Sequence, residues 1–408
     1  MSTVENVVVV GDGQAGFSVC EALRKQGYAG GLTLVGDEGV LPYQRPPLSK
    51  AYLLGEMALE RLYFRPQSFF DENEIALRLS DSACRIVAEE KSVILSSGEA
   101  LPFDKLVLAV GSSPITLPEA MGGALKGVHY IRNLSDADAL AQTVSPGQSV
   151  LIVGGGYIGL EAAAVSAKLG MQVTLVEAGE RILGRVASSE TANYFRELHK
   201  SNGVEILEGT QLTALKGTGG SLTHAVLSNG QQMDIGSAVV GIGIRPNTAL
   251  AETAGIEIEN GICVDANCVT SHPDILAVGD CASFQTNSKE YKRLECVGHA
   301  IDHAHNAART ILGNTENYTP KPWFWSDQYD VKLQIVGLSD GYDRVIKRSS
   351  DGAALSHWYY SGSKLLAVDA MNDPRSYMVA KRLIESGKSP DSDLVADPQT
   401  EIKSLLKM

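Results

Sequence analysis

The sequence predicts an α/β protein with two similar parallel-sheet units and a smaller C-terminal α+β region. Residues 6–16 and 149–159 support this prediction, because each runs from a short apolar strand into glycines spaced G-x-G-x-x-G. A helix-forming segment and a second apolar strand ending in acidic residues follow each run. Strand, glycine turn, helix and acid in this order predict a Rossmann-like dinucleotide-binding unit, and two copies predict two dinucleotides.

The first glycine run is expected to form a phosphate-binding turn. Gly11 makes the tight turn, Gly13 lets the backbone approach a pyrophosphate, and Gly16 lets the helix pack closely on the strand. The pyrophosphate is expected at the helix N-terminus. An acid roughly 20 residues further on is expected to bind a ribose hydroxyl. The candidate contacts are Gly11, Gly13, Gln14, Ala15, Gly16, Asp37 and Glu38.

The second glycine run repeats these features and indicates which nicotinamide cofactor binds. Glu177 is the ribose acid here, and no arginine follows it immediately to receive the 2′-phosphate of NADPH. NADH is therefore the expected ligand, while Arg181, four residues on, keeps an NADPH alternative open. The candidate contacts are Gly154, Gly156, Tyr157, Ile158, Gly159, Glu177, Arg181 and Gly243.

Composition limits the class of protein. At 408 residues the chain is expected to form two or three domains. Its formal charge of −13 argues against non-specific nucleic-acid binding, which needs a basic face. The sequence shows neither a targeting segment nor an apolar run long enough for a membrane span, so we expect a cytoplasmic protein. Six cysteines over this length fit a reducing compartment rather than a disulfide scaffold.

A proline-rich loop at residues 41–50 is the next candidate for function. Pro46 and Pro47 interrupt regular structure, and the loop also carries Arg45 and Lys50. Cations on a rigid backbone suit a redox cofactor that gains negative charge on reduction. A solvated proline loop is the alternative interpretation.

Further motifs carry a family resemblance. A strand returning to Gly279-Asp280 follows the second glycine run, and the loop at 41–50 holds no Cys-x4-Cys pair. Together with residues 293–297, 322–328 and 338–343, these features resemble the FAD-dependent NADH:ferredoxin reductases of the putidaredoxin reductase type, found in oxygenase electron-transfer chains. The likeness runs nearly end to end. One departure is Gly298-His299, where the family more often has Gln-Asn.

The resemblance implies a glutathione-reductase-type fold and further site residues. Its implied domains are an FAD-binding domain at 1–114 and 245–318, an NAD-binding domain at 115–244 and a C-terminal domain at 319–408. Lys50 is expected beside the flavin ring and Glu161 near the nicotinamide, both as catalytic residues, while Asp280 binds the ribityl chain. The remaining implied cofactor contacts are Arg45, Pro47, Ala109, Gly111, Glu295, Cys296, Val297 and Trp325.

The implied activity is hydride transfer from NADH to FAD, followed by single-electron transfer to a [2Fe-2S] ferredoxin. That ferredoxin would feed a haem-thiolate monooxygenase or a Rieske oxygenase of aromatic hydrocarbon catabolism. We expect a monomer or weak dimer. Two alternatives stay open, an NADH-dependent disulfide or peroxide reductase, and an NADH-sensing flavoprotein resembling apoptosis-inducing factor.

Other clusters have simpler interpretations. Cys263 and Cys268 have Cys-x4-Cys spacing but lie in a strand-like segment, so structural thiols are expected. His299 and His303 are four residues apart, but no H-E-x-x-H motif accompanies them and no metal is expected. A basic set is the candidate ferredoxin-docking surface, with Trp325 between it and the flavin. Its members are Lys289, Lys292, Arg293, Arg344, Lys347 and Arg348.

Overall fold

The computed structural model describes residues 4–285, 290–314, 317–349 and 352–407. Lys289 lies outside these ranges. The chain divides into two compact units. The first comprises Met1–Arg45, Ala58–Ser113 and Ile244–Pro322, and the second comprises Pro46–Met57, Pro114–Gly243 and Trp323–Met408.

Helices alternate with strands around the two glycine fingerprints, whereas residues 75–114, 205–246 and 323–371 contain runs of consecutive strands. The α-helices are α1 (Gln14–Lys25), α2 (Gln67–Glu72), α3 (Leu134–Ala141), α4 (Tyr157–Lys168), α5 (Ser189–Ser201), α6 (Ala249–Glu252), α7 (Val297–Ile311), α8 (Pro374–Glu385) and α9 (Ser392–Ala396). Short 3₁₀ helices are Pro46–Ser49, Leu59–Arg61, Glu119–Met121, Gly279–Cys281 and Ile402–Lys407.

The strands fall into three groups along the chain. Those before the second glycine run are β1 (Asn6–Val10), β2 (Gly31–Val35), β3 (Ile75–Arg78), β4 (Ala83–Val87), β5 (Ser92–Leu95), β6 (Ala100–Pro102), β7 (Lys105–Leu108), β8 (Ser112–Pro114) and β9 (Val128–His129). The middle strands are β10 (Ser149–Val153), β11 (Gln172–Glu177), β12 (Glu205–Glu208), β13 (Leu212–Thr218), β14 (Ser221–Leu227), β15 (Gln232–Asp234), β16 (Ser237–Val240) and β17 (Ile244–Pro246). The last are β18 (Ile262–Val264), β19 (Ile275–Ala277), β20 (Ala282–Gln285), β21 (Tyr291–Lys292), β22 (Trp323–Gln328), β23 (Val331–Gly337), β24 (Arg344–Ser349), β25 (Leu355–Ser361) and β26 (Lys364–Met371).

Each unit contains a five-stranded parallel sheet, and the two sheets follow one plan. The order is β19-β7-β1-β2-β3 in the first unit and β9-β16-β10-β11-β12 in the second. A three-stranded antiparallel sheet is inserted in each case, β4-β5-β6 before β7 and β13-β14-β15 before β16. The predicted pair of Rossmann-like folds is confirmed.

The first strand of each glycine fingerprint lies at the centre of its sheet. Parallel neighbours flank both β1 and β10. In β1, the four valines from Val7 to Val10 are all at most 5% exposed. A strand covered on both faces needs a continuous apolar run, which explains why these segments do not alternate with polar residues. The helices α1 and α4 begin at Gln14 and Tyr157, directly after the second glycine of each fingerprint.

The C-terminal region is the expected antiparallel sheet with helices. Its strand order is β22-β23-β26-β25-β24, and α8 packs against β23 and β26. The sequence did not reveal β22 as a strand, because the second half of the strand, residues 326–328, is polar. The side chains of Ser326 and Gln328 are nevertheless fully buried. The start of α8 is defined by a side-chain cap. The helix begins after Asp373, whose side chain accepts a hydrogen bond from the Ser376 N–H, with proline in the first turn.

One buried cation holds the C-terminal tail. Arg348 is 5% exposed, and its guanidinium donates to the carbonyl oxygens of Val395 and Asp397 at 2.9 Å each and of Thr400 at 2.7 Å. The sequence interpretation of Arg348 as a surface docking charge is therefore wrong. Its charge is used to satisfy backbone carbonyls within the fold.

We predict that Arg348→Ala lowers the free energy of unfolding by about 2–4 kcal/mol, because it leaves buried carbonyls without their donors. It should also expose the segment of residues 392–407 to limited proteolysis. Lys347→Ala is the matched control, since Lys347 is the exposed neighbour. Thermal unfolding and proteolysis measure both effects. Equal behaviour of the two variants would contradict this assignment.

Candidate functional site

The first glycine fingerprint has the geometry of a dinucleotide cradle. Gly11 has φ +107°, and a Cβ there would lie 2.2 Å from the Ala109 carbonyl oxygen. A Cβ on Gly16 would lie 1.8 Å from the Gly11 oxygen, so helix and strand are in direct backbone contact. At Gly13 the nearest atom to a Cβ would be Nε of Arg45, at 3.6 Å. The face above Gly13 is thus open enough for a pyrophosphate.

The first ribose acid is held by side chains from the proline-rich loop. Glu38 accepts hydrogen bonds from the Tyr43 hydroxyl at 2.5 Å and from Nη2 of Arg45 at 2.6 Å. Asp37 is exposed. Asp12, inside the glycine run, is buried, and burial raises the pKa of its carboxyl to about 6 although the nearby Arg45 opposes that shift.

The returning Gly-Asp turn lies against the start of α1. A Cβ on Gly279, which has φ +74°, would be 2.9 Å from the Cβ of Ala15. Asp280 follows directly, and its carboxylate accepts a hydrogen bond from the Ser112 hydroxyl at 3.1 Å. Strand β19 runs parallel to β7, which is paired with β1, so the carboxyl ends of all three strands meet at one sheet edge. Ligands of open α/β sheets bind at this edge.

Three further predicted contacts lie near the start of α7. Glu295 forms an ion pair with Arg293 at 2.8 Å, and Cys296 is the N-cap of the helix, which begins at Val297. Arg293 also donates to the Asp280 carbonyl oxygen at 3.0 Å, and its side chain is only 10% exposed. Like Arg348, Arg293 is therefore not an exposed docking charge, which corrects the sequence interpretation.

Two remaining predicted contacts, Ala109 and Gly111, follow β7 at the same sheet edge. Ala109 is buried and donates its N–H to the Val10 oxygen at 2.7 Å. Gly111 has φ +64°, and its carbonyl accepts the Asn247 N–H at 3.0 Å. Both lie in the segment that closes the first fingerprint. The side chain of Gln14 folds back onto its own helix, donating to the Ser18 hydroxyl at 3.1 Å.

The second fingerprint repeats the geometry of the first. Gly154 again has φ +107°, and a Cβ there would lie 2.3 Å from the Gly241 oxygen. A Cβ on Gly159 would lie 2.0 Å from the Gly154 oxygen, whereas nothing lies within 4 Å of a Cβ on Gly156. The glycine whose Cβ position faces open space is the one expected to face the pyrophosphate. Both cradles therefore fit dinucleotides.

Glu177 is fixed by backbone donors. Its two carboxylate oxygens accept N–H groups from Gly155 at 2.6 Å and Gly179 at 2.7 Å. Each oxygen retains acceptor capacity for a ribose hydroxyl. Arg181, by contrast, donates to the carbonyl oxygens of Ala187 at 2.8 Å and Ser188 at 3.3 Å. Its guanidinium closes its own loop, which weighs against a role in binding a 2′-phosphate.

Ile158 was a predicted contact, whereas sequence reasoning missed Val186, Ile242 and Arg185 at this edge. Ile158 in the first turn of α4, Val186 and Ile242 are 44%, 46% and 36% exposed. Exposed apolar side chains beside a cradle suit the flat faces of a nucleotide's rings. Arg185 approaches Gly243, with Nη2 3.9 Å from the position of a Cβ there. No pattern in the sequence distinguishes Val186, Ile242 and Arg185, because the fingerprint does not constrain them.

The predicted catalytic residues meet in the second unit. Nζ of Lys50 donates to Oε2 of Glu161 at 2.7 Å, and Glu161 is 4% exposed. The Ser49 hydroxyl donates to the same oxygen at 2.7 Å, and the Ser326 hydroxyl donates to Oε1 at 2.7 Å. The carbonyl of Pro47 accepts the Lys50 N–H at 3.0 Å and so closes the turn that presents the lysine. A buried carboxylate with a cation and two hydroxyl donors is fully paired.

Strand β22 explains how Ser326 reaches Glu161. Side chains alternate along a strand, so Phe324 and Ser326 lie on one face and Trp325 on the other. The first face meets α4, where the Phe324 and Tyr157 rings lie 4.9 Å apart. On the second face Trp325 stacks on Trp323 at 5.6 Å. Ser49 and Ser326 were not predicted, since neither carries a local signal.

Cys263, Cys268, His299 and His303 are buried core residues. The described cysteines are free thiols, and burial raises the pKa of Cys268 to about 12. His299 and His303 lie on α7 with ring centroids 4.6 Å apart, and burial lowers the pKa of both, that of His299 to about 4. Among the residues that the structure describes, no group of three or more His, Cys, Asp or Glu is arranged to hold a metal.

Two cradles, two ribose acids and a buried lysine–glutamate pair define a flavin- and nicotinamide-dependent oxidoreductase. The pyridine nucleotide-disulphide oxidoreductase family model matches residues 5–310, and the reductase C-terminal model matches residues 323–406. A ferredoxin–NAD(P)(+) reductase of Sphingomonas sp is 40% identical over 98% of this chain and 97% of its own. Putidaredoxin reductase of Pseudomonas putida is 38% identical over 100% and 98%.

A solved structure of a ferredoxin reductase is similar to this chain over its whole length. The reductase in a covalent putidaredoxin reductase–putidaredoxin complex has a TM-score of 0.95 and 37% identity, over 100% of this chain and 99% of that one. The chain therefore belongs to the pyridine nucleotide-disulphide oxidoreductases, and within them to the ferredoxin reductases. It is an enzyme that uses FAD and NAD(H).

We predict that Gly154→Ala and Gly156→Ala fail in different ways. Gly154→Ala should lower the free energy of unfolding by more than about 2 kcal/mol, because the new Cβ meets a carbonyl in a left-handed conformation. Gly156→Ala should leave the fold unchanged and weaken NADH binding about tenfold, since its methyl group occupies the pyrophosphate approach. Thermal unfolding and NADH titration measure the two effects. NADH binding unchanged in Gly156→Ala would contradict the assigned cradle.

We predict that Glu177→Ala raises the NADPH-to-NADH ratio of kcat/KM by roughly tenfold or more, because the carboxylate binds ribose hydroxyls and repels a 2′-phosphate. Arg181→Ala should lower stability and leave that ratio unchanged, since its guanidinium binds its own loop. Steady-state kinetics with both nucleotides provide the comparison. A preference for NADPH in the unmutated enzyme would overturn this interpretation.

Proposed function

We propose that the chain is an NADH:[2Fe-2S] ferredoxin oxidoreductase. The observation that carries this proposal is the ion pair between Glu161 and Lys50, because the segment Pro46–Met57 that carries Lys50 contains no cysteine. A disulfide reductase of this family needs a flavin-facing thiol pair there. A lysine–glutamate pair suits hydride acceptance without a thiol intermediate.

FAD is assigned to the first cradle and NADH to the second. Gly13 and the start of α1 would hold the FAD pyrophosphate, Glu38 with Arg45 its adenosine ribose, and Asp280 its ribityl chain. The remaining FAD contacts proposed from the family resemblance are Gly11, Gln14, Ala15, Gly16, Asp37, Pro47, Ala109, Gly111, Glu295, Cys296 and Val297. Those proposed for NADH are Gly154, Gly156, Tyr157, Ile158, Gly159, Glu177 and Gly243.

The protein residues mainly position the two cofactors. When bound, FAD accepts a hydride from NADH and releases electrons singly, which links a two-electron donor to one-electron carriers. Lys50 would lie beside the flavin ring and supply a fixed positive charge. Glu161 would hold Lys50 in place and lie near the nicotinamide. Because the pair is buried, its orientation is maintained without solvent reorganisation.

The proposed electron acceptor is a [2Fe-2S] ferredoxin of an oxygenase system in aromatic hydrocarbon catabolism. The relatives named above include putidaredoxin reductase and a ferredoxin reductase, and one solved relative is covalently joined to putidaredoxin. The net charge of −13 opposes docking of an acidic ferredoxin, so local cations are needed. Arg344 and Lys347 are exposed, and Lys292 is half-buried. These three are the members of the proposed docking set that the structure supports.

Trp325 is proposed to lie along the electron path. Its ring is partly exposed and stacks on Trp323, over which Nζ of Lys381 lies at 5.3 Å. A flat, polarisable ring suits packing against a flavin.

We further propose a domain division at 1–114 and 245–318, 115–244 and 319–408. None of the helices in the described ranges combines the length and apolar character needed to cross a membrane. A cytoplasmic monomer or weak dimer with no nucleic-acid partner is proposed on the basis of charge and composition.

We predict that Cys263→Ser with Cys268→Ser leaves NADH-dependent ferricyanide reduction per bound flavin within about twofold. Both thiols are buried, and burial raises the pKa of each, so neither is a ready nucleophile. Thiol titration after reduction by NADH is the second readout. Loss of turnover with flavin retained, or two new thiols on reduction, would favour a disulfide reductase.

We predict that Trp325→Ala slows ferredoxin reduction roughly tenfold while flavin reduction by NADH changes less. Trp323→Ala is the matched control, because it removes the stacking partner and leaves Trp325 in place. Stopped-flow measurements of both half-reactions at low and high salt separate the steps. An apoptosis-inducing-factor-like sensor would instead reduce ferredoxin poorly before any mutation. Ferredoxin reduction insensitive to salt and to Trp325→Ala would contradict the docking surface.

A further inference from the structure

We propose that Ser326, Gln328, His199 and Tyr329 form a one-way hydrogen-bond chain that ends on the Glu161 carboxylate and fixes its orientation. These four are positioning residues for the reaction. The inference rests on the role of Glu161 in the proposed function, and it names the group that holds that carboxylate from the side opposite Lys50.

The hydrogen-bond chain is continuous within the second unit. The Ser326 hydroxyl donates to Oε1 of Glu161 at 2.7 Å, and Nε2 of Gln328 lies 3.1 Å from the Ser326 hydroxyl. Oε1 of Gln328 lies 2.8 Å from Nε2 of His199, and Nδ1 of His199 lies 3.1 Å from the Tyr329 hydroxyl. Ser326, Gln328 and His199 are each 0% exposed. Ser326 and Gln328 share the inner face of β22, and His199 belongs to α5.

The donors in this chain all point toward Glu161. The carboxylate accepts, so the single Ser326 proton is committed to it, and Ser326 must accept from the Gln328 amide nitrogen. The Gln328 oxygen then faces His199, so Nε2 of His199 must carry a proton. Rotating the amide would require one Ser326 proton to serve two acceptors. The hydrogen-bond count therefore fixes the amide orientation and the histidine tautomer.

His199 is neutral at working pH in this arrangement. Burial lowers its pKa to about 4, although the bond to Gln328 opposes that shift. A neutral ring protonated on Nε2 leaves Nδ1 as an acceptor for the Tyr329 hydroxyl. The polarity is thus consistent from Tyr329 to Glu161, and the bond dipoles add in the direction that stabilises negative charge on the carboxylate.

The backbone at Tyr329 supplies an independent observation. Tyr329 has φ +56°, a left-handed conformation that a bulky residue adopts at a cost of about 1–3 kcal/mol. It occupies the two-residue connection between β22 and β23, where glycine or asparagine would fit with less strain. A tyrosine here places its hydroxyl on His199. The strained position thus provides the first donor of the chain.

The chain's effect is geometric and electrostatic. Ser49 and Lys50 bind one oxygen of Glu161, and the chain binds the other. The carboxylate plane is therefore fixed from two sides. Removing the Ser326 donor would free one oxygen to rotate away from the arrangement that holds Lys50.

The tautomer of His199 tests the chain directly. In ¹⁵N-histidine-labelled, FAD-loaded enzyme, the His199 signal is assigned by its loss in His199→Gln. The proposal expects the neutral form protonated on Nε2, and a doubly protonated ring at neutral pH in Gln328→Glu. A ring protonated on Nδ1 would reverse the chain and overturn the proposal, whatever the role of Glu161.

Kinetics test whether the chain acts on the reaction. Ser326→Ala should slow flavin reduction by NADH about tenfold with NADH affinity within twofold, and Gln328→Glu should slow it at least as much. Ser356→Ala is the matched control, a fully buried serine of the same sheet that bonds Trp358 and Asp373 instead. It should lose similar thermal stability and keep its rate.

The outcomes distinguish the proposed role of Glu161 from the proposed role of the hydrogen-bond chain. Glu161→Gln should itself slow flavin reduction, and an unchanged rate there would remove the proposed role of Glu161 while the tautomer test still applies to the chain. Suppose instead that Glu161→Gln slows flavin reduction, while Ser326→Ala and Gln328→Glu reduce flavin as fast as Ser356→Ala. That result would overturn the hydrogen-bond chain and leave the role of Glu161 intact.

Discussion

The buried carboxylate of Glu161 is the constraint that joins residues 49–50 and strand β22 to helix α4 in the second unit. A charge that is 4% exposed is tolerable only when paired, and this one, carried by α4, receives donors from two other segments, the 3₁₀ turn at Pro46–Ser49 with Lys50, and β22. Removing any one partner leaves charge or donors unsatisfied in a region of low dielectric. The same interactions that stabilise the unit therefore present Lys50 and Glu161 in one orientation.

The two sheets share a plan, but their ribose acids are held differently. Glu38 pairs with Arg45, so its charge is largely neutralised by a side chain from the adjoining loop. Glu177 is held by two backbone N–H groups and has no paired cation in the described structure. An uncompensated carboxylate repels a 2′-phosphate, whereas a neutralised one does not. With the site residues proposed above, one fold would thereby hold two dinucleotides with different selectivity.

Much of the fold and both cradles follow from the sequence, because each fingerprint is local and its glycines perform separable steric tasks. Side-chain partners distant in sequence do not follow from it. Ser326 meets Glu161 across 165 positions and Ser49 across 112, and a lone serine carries no signal of either contact. Charge alone also misleads, as Arg348 shows, since nothing local distinguishes an arginine that binds carbonyls from one in solvent. Strand β22 was missed because its buried face is polar.

The most direct test of the central claim is hydrogen–deuterium exchange of the FAD-loaded enzyme with Glu161→Gln against the unmutated chain. If the carboxylate joins these segments, peptides covering residues 46–57 and 323–328 should exchange faster in the variant. Peptides covering the central strand β10 should exchange as before, because the parallel sheet does not depend on this charge. Unchanged exchange in both outer segments would contradict the account.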